Sequence, residues 1–277
     1  MTDSAVRAPG EPVDEDAALT LLRHGEMEVE GLLAEASNAT LRAVITLDGV
    51  TARCIYKPVR GERPLWDFPD GTLADRESAA YLVSVAGGWN VVPPTVLREG
   101  PLGPGACQLW IDDAYAEDAG QLVGFVPADA VPNGWRPITD ARGPDGRRYM
   151  LAHADDPRLA AIAVFDVVVN NADRKGGHVL CTPSGRVYGV DHGVCFHSED
   201  KLRTVLWGWA EQPLDESAGE SLRRLATALD GELGQVLGEH LTGSEITALS
   251  DRIHRLLEEP RYPVPGSGWH PLPWPPM

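Results

Sequence analysis

A chain of 277 residues is long enough to bury a sizeable core, as one large domain or as two lobes. Its formal charge of −17 argues against a main surface that meets nucleic-acid phosphates or anionic lipid, because both would repel it. The four cysteines, at 54, 107, 181 and 195, form no C-x-x-C pair and no Cys/His cluster at zinc spacing, so buried thiols in a reducing compartment are expected instead of disulfides or structural zinc.

Residues 1 to 15 carry acids and prolines in place of a basic start and an apolar run. This predicts a disordered N-terminus without a secretory leader. No apolar stretch reaches membrane-spanning length, and the expectation is a soluble cytoplasmic protein. A short helix follows, with Ala18, Leu21 and Leu22 on one side and Gly25 as its stop. From Met27 the period changes to two, through Val29 and then Leu41, Ala43, Ile45 and Leu47. Asp48-Gly49 marks a hairpin whose returning strand runs from Thr51 to Lys57. Thr72 with Asp75 opens a helix through ADRESAAYLVSVA that ends at Gly87-Gly88. An edge-like strand VVPPTVL and another, CQLWI, complete a first lobe over 16–112.

The second lobe spans 113–258. Its segment 127–147, rich in Pro, Gly and charge, reads as a long surface excursion. Asp156-Pro157 then starts the helix LAAIAVFDVVVN, followed by the turn NADRKGG and two short strands, HVLC and RVYGVD. The remainder to about 258 is helical by period, with Leu222, Leu225 and Leu229 and then Ile246, Leu249, Ile253 and Leu256. The tail, 259–277, is proline-rich and extended, and Trp269 and Trp274 suggest that it packs along a surface. Sheet first and helices later, with a site between, is an α+β two-lobe layout.

Phosphoryl transfer from ATP requires a cation on the phosphates, an anchor for that cation, metal ligands, and a carboxylate near the attacking hydroxyl. The sequence supplies these in order. Lys57 ends a hairpin strand on the face opposite Cys54 and Tyr56, and only three of the 24 basic residues are lysine, at 57, 175 and 201. That scarcity of lysine, with abundant Ala, Gly and Pro, points to a GC-rich bacterial genome. Glu77 lies in the first turns of the next helix, from which a carboxylate can reach back to the sheet. Asp173 sits in a Gly-bearing turn, and His178 follows five residues later at a strand start, a spacing that lets one loop present a base and a metal ligand. Asp191 ends the next strand in Y-G-V-D-H-G, where the glycine permits a sharp bend.

The runs FDVVVNNADRKGGHVL and VYGVDHGVCFH resemble the catalytic and metal-binding segments of the phosphatidylinositol 3-/4-kinase family, particularly its type II branch, and are similar to HipA-like kinases. IYKP and the helix after it agree, so the resemblance covers roughly residues 27 to 197. It implies a two-lobe protein-kinase-like fold with an antiparallel-sheet N-lobe and a mainly helical C-lobe. It further implies that Lys57 binds the phosphates, Glu77 holds Lys57, Asp173 is the catalytic acid/base, and Asp191 binds Mg²⁺. Asp166 and Arg174 would brace the loop, and the segment from Cys107 to Ile111, with Gln108, Leu109 and Trp110, would meet adenine through backbone groups.

Two departures bear on mechanism. His178 stands where this family has an asparagine ligand, and imidazole favours Mn²⁺ or similar ions over Mg²⁺. The turn EASNAT lacks glycine, so phosphates there would rely on backbone N–H groups and on Ser37, Asn38 and Thr40; no G-x-x-x-x-G-K-[ST] loop occurs. LLRHGE resembles a histidine-phosphatase core but falls in a helix, not after a strand. The expected function is ATP- and metal-dependent phosphate transfer to a protein or small-molecule hydroxyl, without nucleic acid or membrane insertion. The alternatives are a nucleotide- or partner-binding pseudokinase and an adenylyltransferase on the same fold.

Overall fold

The computed structural model describes residues 14–33, 38–114, 122–266 and 270–277. The expected disordered N-terminus therefore lies almost wholly outside the described residues. Helix α1 (Glu15–His24) is capped by the Asp14 carboxylate and stops at Gly25; its buried face is Ala18, Leu21 and Leu22, as the periodicity predicts. Strands β1 (Glu26–Leu32), β2 (Leu41–Leu47) and β3 (Val50–Pro58) follow, with Asp48 and Gly49 both at positive φ in the turn between the last two. Helix α2 (Leu73–Gly87) begins at Thr72, whose hydroxyl accepts from the Asp75 N–H, and ends at Gly88 in the left-handed region. Strands β4 (Thr95–Gly100) and β5 (Gly103–Leu109) close an antiparallel sheet of order β1-β2-β3-β5-β4, with β4 at the edge.

One face of this sheet packs Ala43, Ile45, Cys54, Val96 and Cys107 under α1. Helix α2 is buried on nearly every side, Arg76 and Glu77 included. Its Arg76 reaches Glu245 at 2.6 Å and the Cys195 carbonyl at 2.9 Å, both deeply buried contacts. The helix is thereby tied to the C-terminal half at the same turn that carries Glu77.

The segment 127–147, expected to be a surface excursion, holds no buried residue, but it carries one strand of a sheet whose other two strands flank it. Strands β6 (Val123–Pro127), β7 (Trp135–Arg142) and β8 (Arg148–Ala154) form an antiparallel layer of order β6-β8-β7. Pro137 hid β7 in the sequence; it sits where the register with β8 slips, a place where a missing donor is tolerated. Helix α3 (Pro157–Val169) has the Asp156 cap and the Pro start that its sequence announces. The hairpin β9 (Val179–Cys181) and β10 (Val187–Gly189) follows. Helical periodicity was expected to run through 198–214, but that stretch holds a single short turn at Trp207–Trp209. Helices α4 (Glu216–Leu229), α5 (Glu232–Leu237) and α6 (Gly243–Glu258) complete the mainly helical region. Leu222, Leu225, Leu249 and Ile253 share one core with Phe165, Val168 and Val169 of α3.

Of the tail, Trp274 is 86% exposed, contrary to the expected packing role, and Trp269 lies outside the described residues. Backbone groups seat the tail instead. The Pro271 carbonyl accepts from the Thr204 N–H and the Trp207 indole, and the Pro276 carbonyl from the Gly176 N–H. All four cysteines are buried and free. Among the described residues no helix is long and apolar enough to cross a membrane.

β8 carries His153 against the Trp207–Trp209 turn. Its Nδ1 lies 2.8 Å from the Ala154 carbonyl and its Nε2 accepts from the Gly208 N–H at 3.1 Å, so the buried ring is the neutral tautomer protonated on Nδ1. A Cβ at Gly208 would stand 2.5 Å from that Nε2, which explains the glycine between two tryptophans. Burial pulls the His153 pKa down to about 4. Between that value and the ordinary value near 6.5 the unfolded chain takes up a proton that the folded chain refuses. Stability present above about pH 6.5 is therefore lost as pH falls toward 4. The urea midpoint is expected to drop across this window, with His153 contributing up to about 3 kcal/mol, and His153→Gln to make the decline shallower. A midpoint flat from pH 7 to 4.5 in the unsubstituted protein would contradict the assignment.

Candidate active site

β3 delivers Lys57 and α2 delivers Glu77 to one point: the lysine Nζ donates to Glu77 Oε1 and, at 2.8 Å, to Asp191 Oδ1. Glu77 is 2% exposed, whereas the Asp191 side chain is half exposed at the rim. Burial opposes the lysine's charge, but Asp191 and Glu77 outweigh it and hold the ammonium on. Burial pushes the Glu77 pKa up against the pull of Lys57, so this carboxylate depends on the lysine for its charge. Lys57 in turn drives the Asp191 pKa far below the usual carboxylate range.

Asp191 follows β10 at φ 62°, a left-handed conformation that aspartate tolerates better than most residues. Two residues on, Gly193 passes α2 so closely that a Cβ would stand 3.2 Å from Leu73 Cβ and 3.7 Å from Glu77 Oε1. The D-H-G turn therefore has a steric reason for its glycine.

Arg174 locks this arrangement from beneath. The guanidinium and Asp166, both fully buried, make a forked ion pair with bonds of 2.9 to 3.2 Å. Its remaining N–H groups reach the His178 carbonyl at 3.2 Å, the Val190 carbonyl at 2.7 Å and His192 Nε2 at 2.8 Å. One side chain thus ties α3, the start of β9 and the end of β10 into a fixed spacing. Gly189 makes room for it, since a Cβ there would be 2.9 Å from an Arg174 terminal nitrogen. His192 is kept neutral, chiefly by burial and then by the Arg174 charge.

Asp173 stands in the turn after α3, its N–H held by Asn171 Oδ1 at 2.9 Å and its carboxylate 3.0 Å from Lys175 Nζ. Burial raises its pKa; Lys175 opposes the rise and the Asp191 charge adds to it. A base of raised pKa facing a partly open cleft can take a proton from a hydroxyl.

His178 closes the constellation, with Nε2 3.4 Å from Asp191 Oδ2. Burial lowers its pKa to about 4, with Arg174, Lys175 and Lys57 adding to the effect and Asp191 opposing it, so the ring is neutral near pH 7. Among the described residues its Nδ1 and Glu77 Oε2 are both buried without a hydrogen-bond partner. A neutral imidazole beside an ionised carboxylate is a donor set that fits a divalent ion. Among the described residues no group of three or more His, Cys, Asp or Glu side chains gathers to hold one. An ion at Asp191 and His178 would therefore need phosphate or water oxygens to complete its shell, the usual arrangement for Mg²⁺ with nucleotides.

Lys57, Glu77, Asp191 and His178 thus come into direct contact, with Asp173 within electrostatic reach. The other expected binding residues are differently employed. Ser37 lies outside the described residues. Asn38 Oδ1 accepts from the Arg63 N–H at 2.9 Å, fastening it to the chain five residues beyond the end of β3. Gln108 is buried and donates to Thr95 Oγ1 at 2.8 Å. The N–H groups of Leu109 and Trp110 are committed to the Pro94 and Arg53 carbonyls at 2.9 and 3.1 Å.

Two residues here escaped the sequence reading. Lys175 pairs with the Asp173 carboxylate, and only the rarity of lysine hinted at it. The Glu62 carboxylate accepts from the Leu73 and Ala74 N–H groups at 3.0 and 2.9 Å, covering the start of α2; no local signal links it to a helix eleven residues on.

An antiparallel sheet and a buried helix packed on a mainly helical region define a protein-kinase-like two-lobe fold. Solved structures agree: the chain matches hydra Fam20 with sugar at a TM-score of 0.56 and 14% identity, covering 93% of this chain and 91% of that one. It matches the Golgi casein kinase with Mn/ADP bound at 0.54 and 14% identity, covering 88% of this chain and 74% of that one. The chain belongs to the same family as Protein Rv2133c of Mycobacterium tuberculosis, to which it is 50% identical over 261 residues, spanning 92% of this chain and 94% of the relative. No protein-family profile matches the chain.

Proposed function

We propose that the protein is an ATP- and divalent-metal-dependent phosphotransferase that acts on a protein or small-molecule hydroxyl. The observation that carries this reading is Lys57 bridging Glu77 of the sheet-side helix and Asp191 of the opposite region. Phosphoryl transfer is mostly positioning and charge neutralisation, and this bridge presents a fixed cation beside a metal-binding carboxylate. The Mn/ADP bound to the Golgi casein kinase adds support at the level of cofactors. The motif resemblance to phosphatidylinositol 3-/4-kinases and HipA-like kinases belongs to the same reading.

In this reading residues 16–112 form the nucleotide lobe and 113–258 the catalytic lobe. Lys57 neutralises the α- and β-phosphates, and Asp173 takes the proton as the acceptor oxygen attacks the γ-phosphorus and ADP leaves. Asp191 and His178 would hold Mg²⁺ or Mn²⁺, which supplies charge neutralisation to the phosphates. Lys175, 3.0 Å from Asp173, would stabilise the transferring group. The Ser37–Asn38 turn would face the phosphates. Adenine would lie along the Gln108–Trp110 segment, meeting backbone groups other than the two N–H groups already engaged.

The metal site offers a direct test. Thermal stabilisation by ADP is expected to need Mn²⁺ or Mg²⁺ and to favour Mn²⁺, and His178→Asn is expected to shift that preference at least about tenfold toward Mg²⁺. An unchanged metal profile would remove His178 as a ligand.

A further inference from the structure

Between the end of α3, the loop at 200–207, the last turns of α6 and the chain at 261–266 lies a cavity of about 770 Å³. It is separate from the cleft just described, since none of Lys57, Glu77, Asp173, His178 or Asp191 lines it. Its size is that of a small-molecule site.

The walls are mostly apolar, with Leu202, Trp207, Leu256 and Tyr262 among them. The indole of Trp207 is held in place by its bond to the Pro271 carbonyl at 2.9 Å. Arg252 also lines the cavity and is only 4% exposed. Its Nε donates to the Val168 carbonyl at 2.9 Å and its Nη1 to the His197 carbonyl at 3.3 Å, but among the described residues its Nη2 has no partner. The neighbouring cations are differently placed: Arg255 holds Asp200 at 3.0 Å and Arg261 holds the Glu211 carbonyl at 2.9 Å. Among the described residues no carboxylate is hydrogen-bonded to Arg252. Burial draws its pKa down to about 10, so it stays charged at neutral pH. Asp200 is the main carboxylate whose charge reaches it, and Arg255 already holds that group, so the buried guanidinium keeps a vacant donor that a further carboxylate would relieve.

We propose that this cavity binds a small molecule carrying one carboxylate on a flat apolar body, the carboxylate on Arg252 Nη2 and the body against Trp207 and Tyr262. A polyanion is disfavoured because Asp200, Glu211 and Glu259 also line the space. The site bears on catalysis through Asn170, which shares the cavity wall and closes α3 at φ 53°. Its amide donates to the His197 and Glu199 carbonyls at 2.9 and 2.6 Å and accepts from the Lys201 N–H at 2.9 Å. A ligand here touches the residue that launches the turn bearing Asp173.

The full chain titrated calorimetrically with 2-naphthoate tests this. Saturable binding is expected, with the uncharged 2-naphthalenemethanol and the Arg252→Gln variant each about tenfold weaker or more. Because Arg252 also braces α3, Leu202→Trp provides an independent block by filling the cavity, and it is expected to abolish binding while the melting temperature holds. Lys57→Met is expected to bind naphthoate as the unsubstituted protein does. The proposal is overturned if naphthoate does not saturate, if affinity survives both Arg252→Gln and Leu202→Trp, or if Lys57→Met removes it.

Discussion

Asp191→Asn is expected to abolish metal-dependent nucleotide binding and to reduce turnover by about a thousandfold or more, while leaving the fold intact. Asparagine is the informative replacement because it accepts the φ of 62° that residue 191 adopts, so the backbone of the turn is kept. What it loses is charge. The Lys57 ammonium would retain Glu77 but no longer meet an ionised partner across the cleft, and Asp191 Oδ2 would no longer offer a full negative charge beside His178 Nε2. The half-exposed position of this carboxylate limits its share of folding stability, so a melting temperature within a few degrees of the unsubstituted protein is expected. Calorimetric titration of ADP with Mn²⁺ gives the binding arm. Unaltered Mn²⁺-dependent affinity in Asp191→Asn would remove this residue from the site.

Asp173→Asn is expected to behave differently, lowering kcat about 10²- to 10⁴-fold with nucleotide affinity nearly unchanged. Asp173 makes no bond to Lys57 or Asp191; its carboxylate meets Lys175, and its N–H is held by Asn171. The substitution removes a proton acceptor without disturbing the bridge that holds the nucleotide. The contrast between the two variants, one losing binding and the other losing turnover, separates a metal ligand from a base. Equal loss of ADP affinity in both would mean that Asp173 also serves as a binding group.

Much of the site was legible because its signals are local. Asp48-Gly49, Thr72 before α2 and Asp156-Pro157 before α3 each set one turn or cap by short-range chemistry; Lys57 lies near the end of the strand and Glu77 in the first turns of the helix that the first two define, while Asp191 follows the β9–β10 hairpin. Asp166 and Arg174 were expected to brace the loop and do so, but the carbonyls of His178 and Val190 that Arg174 also grips carry no side-chain signature. The ion pair of Arg76 with Glu245, 169 residues apart, is equally silent in sequence. Strands β6 to β8 were hidden because Pro137, glycines and charges obscure the alternation, and their faces are largely half-exposed. Trp274 misled for a simple reason: a large aromatic suggests burial, yet the tail is held by the carbonyls of Pro271 and Pro276.

The central claim is transfer of the γ-phosphate by a site built on Lys57, Asp173 and Asp191. Incubating the full chain with γ- or α-labelled ATP, Mn²⁺ or Mg²⁺ and a panel of protein and small-molecule hydroxyl acceptors, and following the label, tests it most directly. The account predicts label on the acceptor from γ-labelled ATP only, and its loss in Asp173→Asn. Label arriving from the α-phosphate would point to adenylyl transfer, nucleotide binding without transfer to a pseudokinase, and failure to bind nucleotide at all would contradict the account outright.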